Sequence, residues 1–250
     1  MVLSKNEIEA AHKASLLRGL NPLELDEVIQ AAHIQRLSDG AFFFMEDEAA
    51  TETFVLVMGK VKLVQVTPDG QQIILGYLVP GRTFGVIASL KKMTYPVSAQ
   101  AVGVCAALAW DQKTINTLMD SFPRIALNTL HIMAGQIREF QNTVRDLSTQ
   151  RVEQRVARAI LRLARHSGRE IKEGVLIDLP LSRQDLAEMT ATTLYTVSRI
   201  LKEWENRGIV ESKRQRVLIL YPHGLVQIAE DLPAVNKQHI ETIRKCDLGE

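Results

Sequence analysis

The chain has 250 residues, a net charge of +1, 46% hydrophobic residues and two cysteines, Cys105 and Cys246. This ordinary apolar fraction and near-zero net charge argue against disorder, and two thiols are too few for a disulfide framework or a four-thiolate metal site. The longest apolar stretch, Ala101 to Trp110, spans ten residues, about half of a membrane span, so we expect a cytoplasmic protein with no metal site and no membrane partner.

The charge is unevenly distributed along the chain. Residues 151–220 contain 14 Lys and Arg against 9 Asp and Glu, a surplus of five, so the remaining residues carry a net charge of −4. A basic segment joined to an acidic remainder is typical of a module that binds a polyanion. A solvated basic helix face would give the same count, so the charge by itself does not decide between the two.

The first half of the chain predicts a short helix followed by antiparallel strands. Asn21-Pro22 with acidic residues in the next turn is typical of a helix start. From about Phe42 to Trp110, short runs rich in Val, Ile and Phe alternate with turn signals, which indicates the strands of a barrel or sandwich. Val61 to Thr67 and Gln72 to Leu75 are expected to form the two arms of a hairpin around Pro68-Asp69-Gly70.

A heptad pattern follows Pro123. With Leu130 as position a, every a and d position over three heptads is apolar, whereas polar side chains occupy the other faces. Such a seam is typical of a coiled coil with a partner helix, although a helix packed on its own domain would also bury it. We predict that the seam is a homodimer interface formed by Leu130, Met133, Ile137, Phe140, Val144 and Leu147.

Residues 152–220 predict the order helix, strand, helix, helix, hairpin. Val175 to Leu179 alternate as a strand. Ser182 is the expected N-cap of a short helix, and a break at Thr190 to Thr193 separates it from a second helix that ends at Asn206. Two helices joined by a turn of three or four residues fit the geometry of a DNA-binding helix-turn-helix.

The second helix of this pair carries a polar and basic face. Tyr195, Arg199 and Lys202 share it with Ser198, because these positions are spaced i, i+3, i+4 and i+7. An arginine there can bond O6 and N7 of guanine together, and threonine hydroxyls at a helix start can hold phosphate, although a merely solvated helix would show the same spacing. The predicted DNA-binding residues are Arg183, Thr192, Thr193, Tyr195, Thr196, Ser198, Arg199, Lys202, Lys213 and Arg214.

Two segments resemble one family of bacterial regulators. Leu181 to Val210, LSRQDLAEMTATTLYTVSRILKEWENRGIV, closely resembles the helix-turn-helix of the catabolite activator and fumarate–nitrate regulator (CRP/FNR) family. Phe54 to Gly85, FVLVMGKVKLVQVTPDGQQIILGYLVPGRTFG, resembles its cyclic-nucleotide-type sensor domain. The resemblance covers roughly residues 15–220, and it implies an α+β fold with an N-terminal antiparallel β-roll, a long dimerisation helix and a C-terminal winged helix-turn-helix.

The resemblance also implies the domain organisation and the partners. We expect an effector-sensing β-roll at residues 1–122, a dimerisation helix at 123–150, the winged helix-turn-helix at 151–222 and a C-terminal extension at 223–250, with a helix on which Leu225, Ile228 and Ala229 share a face. The implied partners are a second copy, palindromic double-stranded DNA, RNA polymerase and a small effector. We expect no enzyme, because the sequence has no Gly-rich phosphate loop and no nucleophile–base pattern. A scaffold protein of this fold without DNA binding is the alternative, but it would not need the basic face.

The effector is expected to differ from cyclic AMP. Members that bind cyclic AMP carry an acidic residue after the Phe-Gly of the phosphate cassette and an arginine further on, whereas here Val86 follows Phe84-Gly85 and no arginine occurs from Thr83 to Pro123. A cyclic phosphate needs a fixed charge partner or a nest of amides, and Lys91 and Lys92 lack the bidentate fork of arginine. Phe140-Gln141 stands where those members carry the Thr-Ser that reads the purine.

Other effectors divide into one that the sequence excludes and two that it leaves open. The iron–sulfur branch of the family carries a cluster of N-terminal cysteines, and here none precedes Cys105, which we expect to be buried. Haem stays open, with His12, His33 or His131 as ligand. An apolar or aromatic small molecule also stays open as the effector, and so does a protein that needs no effector. The predicted pocket between cassette and dimer helix is lined by Val86, Ile87, Tyr95, Val97, Phe140 and Gln141.

The DNA-reading face also departs from the family. Many relatives carry a glutamate where Tyr195 stands, and that carboxylate accepts a hydrogen bond from cytosine N4. Arg199 matches the guanine-reading arginine of the family. We therefore expect the guanine contact to be kept and the preference at the neighbouring base pair to differ.

Overall fold

The computed structural model describes residues 3–213 and 215–232, and it divides the chain into two units, residues 1–148 and 149–250. Within the described residues, no helix is both long and apolar enough to span a membrane.

Unit 1 begins with two capped helices. Helix α1 spans Lys5–His12 and α2 spans Pro22–Gln30, with a 3₁₀ helix at Ser15–Leu17 between them. The side chain of Asn21 accepts hydrogen bonds from the backbone N–H groups of the second and third residues of α2, both at 3.0 Å. The helix start predicted from Asn21-Pro22 is therefore confirmed, because the cap satisfies donors that the first turn leaves without partners.

Glu7 of α1 is a buried carboxylate that the fold keeps charged. Its Oε1 lies 2.9 Å from Nη2 of Arg36, and its Oε2 accepts a 2.7 Å hydrogen bond from the backbone N–H of Ser4, the N-cap of α1. Burial alone would raise the pKa of Glu7, but the hydrogen bonds from Ser4 and the Arg36 guanidinium outweigh it and hold that pKa below its ordinary value of 4.5. The ionised form of Glu7 thereby ties α1 to the first strand of the sheet.

Unit 1 is built on an antiparallel sheet. Its strands are β1 His33–Leu37, β2 Phe42–Phe44, β3 Glu52–Val66, β4 Gln72–Leu78, β5 Thr83–Phe84 and β6 Ser98–Asp111. The main path runs β1-β6-β3-β4, while β2 pairs with β6 and β5 with β3. The hairpin predicted around Pro68-Asp69-Gly70 is confirmed as β3 and β4, which pair from Val61 with Leu78 to Val66 with Gln72. The expected α+β class and antiparallel sheet are thus observed.

Gly59 lets β3 pass close to β6. It has φ +83° at a register irregularity, and a Cβ atom there would lie 2.4 Å from the carbonyl oxygen of Val104 and 2.6 Å from Sγ of Cys105. Cys105 is fully buried, its thiol donates to the carbonyl of Lys60 at 2.9 Å, and burial raises the pKa of that thiol. The expectation that Cys105 is a buried core residue is therefore confirmed.

Two helices follow the sheet. Helix α3 spans Gln112–Ser121 and α4 spans Pro123–Thr149. The start of α4 is anchored in unit 1, because Ile125 is buried and Nδ2 of Asn128 donates 2.8 Å hydrogen bonds to the carbonyls of Leu16 and Arg18. The helix predicted from the heptad pattern is confirmed.

Unit 2 alternates helices with two hairpins. Its elements are α5 Val152–Ser167, β7 Gly168–Ile171, β8 Gly174–Ile177, α6 Arg183–Met189, α7 Leu194–Asn206, β9 Val210–Lys213, β10 Arg216–Ile219 and α8 Pro222–Ala229. The strands form one antiparallel sheet in the order β7-β8-β10-β9. The strand predicted from Val175 to Leu179 is confirmed as β8, which ends at Ile177, two residues earlier than predicted. The predicted order missed β7, because that strand is largely exposed and has no apolar alternation.

Helix α8 packs within unit 2. Leu225 and Ala229 are buried, as the predicted helix face requires, and Ile228 is half-buried. Arg158 of α5 donates from Nε to the carbonyl of Ala229 at 3.0 Å and pairs with Glu230 at 3.1 Å, which satisfies the C-terminal end of the helix. The part of the expected C-terminal extension beyond residue 232 lies outside the described residues.

Candidate DNA-binding site

The first helix of the pair, α6, begins with a reciprocal cap. The hydroxyl of Ser182 accepts from the N–H of Asp185 at 3.0 Å, and the Asp185 carboxylate accepts from the N–H of Ser182 at 2.7 Å. Two N–H groups at the helix start are satisfied together, so α6 can start sharply after β8 despite its seven residues. The cap predicted at Ser182 is confirmed.

The turn between the two helices has a Schellman geometry. Ala191 adopts the left-handed conformation with φ +48°, and the N–H of Thr192 bonds to the carbonyl of Ala187 at 3.1 Å. The buried hydroxyl of Thr190 donates to the carbonyl of Leu186 at 2.6 Å. Four residues, 190–193, therefore separate the end of α6 at Met189 from the start of α7 at Leu194.

Helix α7 is capped by a threonine pair. Oγ1 of Thr193 accepts from the N–H of Thr196 at 3.2 Å, and the two hydroxyl oxygens lie 2.9 Å apart. Thr193 is exposed and Thr196 half-buried. The first-turn N–H groups at this end of α7 favour an anion, so the predicted phosphate contact falls at the positive end of the helix.

One face of α7 packs into unit 2. Val197, Ile200, Leu201 and Trp204 are buried. Nε1 of Trp204 donates to the Glu153 carboxylate of α5 at 2.9 Å, which gives the buried indole a partner. This packing fixes which side of α7 faces solvent.

The opposite face of α7 is exposed and carries the predicted base-reading side chains. Tyr195 is 78% exposed, Arg199 and Lys202 are exposed, and Ser198 is half-buried. Lys202 pairs with Glu205 at 3.5 Å. Among the residues that the structure describes, Arg199 makes no hydrogen bond and no ion pair, so its guanidinium is available to an external acceptor.

The remaining predicted DNA contacts lie on neighbouring elements. Arg183 is the first residue of α6, and Thr192 lies in the turn; both are half-buried. Lys213 ends β9, is exposed and pairs with Glu211 at 2.7 Å. Arg214 lies outside the described residues.

The structure singles out two further residues near this face. Leu194, the first residue of α7, is 49% exposed beside Tyr195. Arg155 of α5 donates to two carbonyls of the turn. Sequence periodicity could not have identified Arg155. A basic residue in a basic segment occupies the same kind of position whether its side chain contacts DNA or the protein's own backbone.

Of the predicted effector residues of the cassette, Val86 and Ile87 lie in a short 3₁₀ helix, Val86–Ser89, and Tyr95 and Val97 lie just before β6. Val86 and Tyr95 are buried, while Ile87 and Val97 are half-buried. The Tyr95 ring stacks on Phe44 with centroids 3.7 Å apart, and its hydroxyl accepts from the N–H groups of Thr51 and Glu52 and donates to the carbonyl of Glu52. Tyr95 therefore uses both its ring and its hydroxyl inside the core of unit 1.

The other predicted effector and dimer residues lie on α4. Phe140 and Gln141, the expected α4 side of the pocket, are exposed. Along the heptad seam Met133 is half-buried, and the exposed fractions of the five other side chains lie between 43% and 66%. The seam is thus an apolar stripe open to solvent on the single chain.

The candidate haem ligands do not enclose a metal site. His12, His33 and His131 are all exposed, and Nε2 of His33 lies 3.2 Å from the Glu52 carboxylate. Within residues 3–213 and 215–232, no three His, Cys, Asp or Glu side chains form a group that could hold a metal ion.

Comparison with known proteins gives two domain matches. A model described as a Crp-like helix-turn-helix domain matches residues 154–228, and one described as a cyclic nucleotide-binding domain matches residues 34–122. The first covers α5 to α8 and the second covers the sheet of unit 1.

Similar whole proteins are transcription regulators. The CRP-like cAMP-activated global transcriptional regulator of Mycobacterium tuberculosis is 23% identical over 84% of this chain and 94% of its own length. The nitrogen fixation regulation protein FixK of Azorhizobium caulinodans is 28% identical over 71% of each chain. The solved structure of FixK2 from Bradyrhizobium japonicum has the same fold, with a TM-score of 0.70 and 22% identity over 82% of this chain and 99% of that one. With both domains in the order of these regulators, the chain belongs to the CRP/FNR family of DNA-binding transcription regulators.

Proposed function

We propose that the protein is a homodimer that reads a palindromic DNA operator through the exposed face of α7. The observation that carries this proposal is the exposed guanidinium of Arg199 on that face, which has no partner among the described residues and lies opposite the buried Trp204 side. A second copy places a second α7 about one DNA turn, roughly 34 Å, away, so each half-site meets one helix. The family's role in transcription makes RNA polymerase the expected protein partner.

Each predicted contact has a distinct chemical role. Arg199 bonds O6 and N7 of one guanine, because its planar guanidinium can donate to both at once. Thr193 and the first-turn N–H groups of α7 hold a phosphate, and Lys213 with Arg214 contacts the backbone beyond it. Tyr195 meets the adjacent base pair without an ionised acceptor, so we propose that it lacks the preference for cytosine that a glutamate confers there.

The homodimer is supported by the apolar stripe on α4. A stripe with Phe140 66% and Leu130 63% exposed is a contiguous apolar patch, and such patches mark surfaces that a partner covers. The a/d spacing matches the seam of two helices related by a twofold axis, and the anchored start of α4 leaves the later heptads open to the partner.

The effector in this proposal is a small apolar or aromatic molecule and not cyclic AMP. The cassette places Val86 in the core and no arginine on the strands and loops from Thr83 to Pro123, so a cyclic phosphate would find no bidentate partner there. With Tyr95 committed to the core, Ile87 and Val97 are the cassette side chains left to contact such a molecule, together with Phe140 and Gln141 of α4. In the proposed mechanism, binding between them reorients the recognition helices through α4.

An Arg199→Ala variant tests the DNA-binding face. The probe is the site that the full-length wild-type protein selects from random duplexes. We expect a loss of about 1–3 kcal/mol, or roughly five- to 150-fold in operator affinity, because one bidentate base contact is removed. Arg207→Ala is the matched control, since it removes an exposed arginine at the other end of α7 and should change affinity by less than about threefold.

The same selection tests Tyr195. We expect a palindrome with guanine at the Arg199 position and a changed preference beside it. Selection of no sequence by the wild-type protein, or full affinity in Arg199→Ala, would contradict the proposed function. Selection of the unaltered family consensus beside the guanine would contradict only the role of Tyr195.

A further inference from the structure

Arg155 of α5 holds together three backbone segments of unit 2. Its Nε donates to the carbonyl of Thr190 at 3.0 Å and its Nη2 to the carbonyl of Ala191 at 3.2 Å. Its Nη1 donates to the carbonyl of Gln150 at 3.3 Å. All three nitrogens of one half-buried guanidinium are therefore bonded to backbone oxygens, which commits three of its five N–H groups to the protein's own backbone.

Two of these acceptors belong to the turn of the helix-turn-helix. The carbonyls at the end of α6 have no partners within the helix and carry the negative end of its dipole, so a cation beside them is favourable. Ala191 holds a left-handed conformation that a non-glycine residue adopts at a cost. Arg155 donates to the carbonyls of the two peptide groups that flank the Ala191 Cα, those of Thr190 and Ala191. These hydrogen bonds offset the cost of the left-handed conformation, and they fix the direction in which α7 leaves the turn.

The third acceptor lies where the chain enters unit 2. Gln150 follows the last residue of α4, Thr149, and precedes Arg151, the N-cap of α5. The planar guanidinium can bond the Gln150 carbonyl and the turn carbonyls only while their mutual geometry is maintained. Arg155 thus joins the chain segment after the proposed dimer helix to the turn that precedes the proposed recognition helix.

We propose that Arg155 is a positioning residue for DNA recognition, which sets the orientation of α7 against the segment that enters unit 2 from α4. The inference rests on the proposed function, since it assumes that α7 reads an operator. In this proposal Arg155 differs in role from the arginines that contact DNA. It contributes to the basic surplus of residues 151–220, but it acts on the protein's own backbone.

Arg158 provides a matched control on the same helix. It is also partly buried, and it also donates to the carbonyl of a helix end, at Ala229 of α8, away from the turn. Substituting Arg158 removes the same charge from α5 and a comparable set of contacts, but it leaves Thr190, Ala191 and Gln150 untouched.

The test compares Arg155→Gln, Arg155→Lys and Arg158→Gln in the full chain, with the selected operator and an unrelated duplex at one salt concentration. The measured quantity is the ratio of operator affinity to non-operator affinity. Partial unfolding lowers the affinities for both duplexes alike. A misdirected α7 lowers only the affinity for the operator, because non-specific binding is electrostatic. We expect the ratio to fall about tenfold in both Arg155 variants, as for one lost charge-assisted hydrogen bond, and to stay within about twofold of wild type in Arg158→Gln.

A second substitution keeps the test decisive if Arg155→Gln unfolds. Ala191→Gly removes the cost of the left-handed conformation. In that background, Arg155→Lys should recover a ratio within about threefold of Ala191→Gly alone. A wild-type ratio in both Arg155 variants, an equal loss in Arg158→Gln, or no recovery in the Ala191→Gly background would overturn the role of Arg155. If the wild-type protein selects no operator, the proposed function itself fails.

Discussion

The apolar stripe on α4 yields a quantitative prediction for Phe140→Glu. Phe140 is 66% exposed on the single chain. A phenylalanine side chain offers about 200 Å², so a partner helix would cover about 130 Å² of it. At about 25 cal/mol per Å² this is about 3 kcal/mol per side chain, or about 6 kcal/mol for the two copies.

Removal of that burial should dissociate the dimer. Since 1.4 kcal/mol corresponds to a factor of ten, the dimer dissociation constant should rise by about 10⁴, and the two facing carboxylates of Phe140→Glu would add repulsion. Sedimentation velocity over a concentration series measures the constant. Operator binding should weaken in parallel, because a monomer contacts one half-site.

Val104→Glu is the control for Phe140→Glu. Val104 on β6 is 64% exposed, which nearly equals Phe140, but it lies outside the heptad seam. The Val104→Glu substitution should therefore leave the dimer dissociation constant unchanged. If Phe140→Glu sediments as wild type does, or if Val104→Glu dissociates the protein equally, the assignment of the stripe as the dimer interface is refuted.

Two further predictions concern stability. Gly59→Ala should destabilise the protein by about 3 kcal/mol or more in denaturant unfolding, because φ is +83° and the new Cβ would lie 2.4 Å from a β6 carbonyl, whereas Gly70→Ala, with φ +82° and open space, should cost only about 1 kcal/mol. Similar losses in the two variants would contradict the close approach at Gly59. Glu7→Gln should lower unfolding free energy by about 1–3 kcal/mol at neutral pH. Because the folded pKa of Glu7 lies below its ordinary 4.5, this advantage is fully present above pH 4.5 and disappears as the pH falls through the lowered value. Glu9→Gln, which alters only an exposed pair with Lys13, is the control, and a pH-independent difference for Glu7→Gln would refute the ion pair as its cause.

Local signals in the sequence were sufficient for much of the fold. The caps at Asn21 and Ser182 were predictable because capping depends on residues two or three positions apart. The helix from Pro123 and the apolar side of α7 followed from heptad and helical periodicity. The β7–β8 hairpin was missed because the prediction relied on periodicity, and a short polar strand at the surface carries no periodic apolar signal.

The exposed face of α7 was predictable, but the roles of individual side chains were not. By sequence alone, Arg155, Arg158 and Arg199 are three basic residues in one basic segment, and Tyr95 is an aromatic residue in an apolar cassette. Only the tertiary structure shows that Arg155 and Arg158 donate to backbone carbonyls, that Arg199 faces solvent, and that the Tyr95 hydroxyl bonds to β3. The sequence determined the family, the helix caps and the helix faces, because these depend on neighbours along the chain. Tertiary structure decided which polar groups are satisfied internally, because that depends on acceptors up to 36 positions away for Arg155, 71 for Arg158 and 43 for Tyr95.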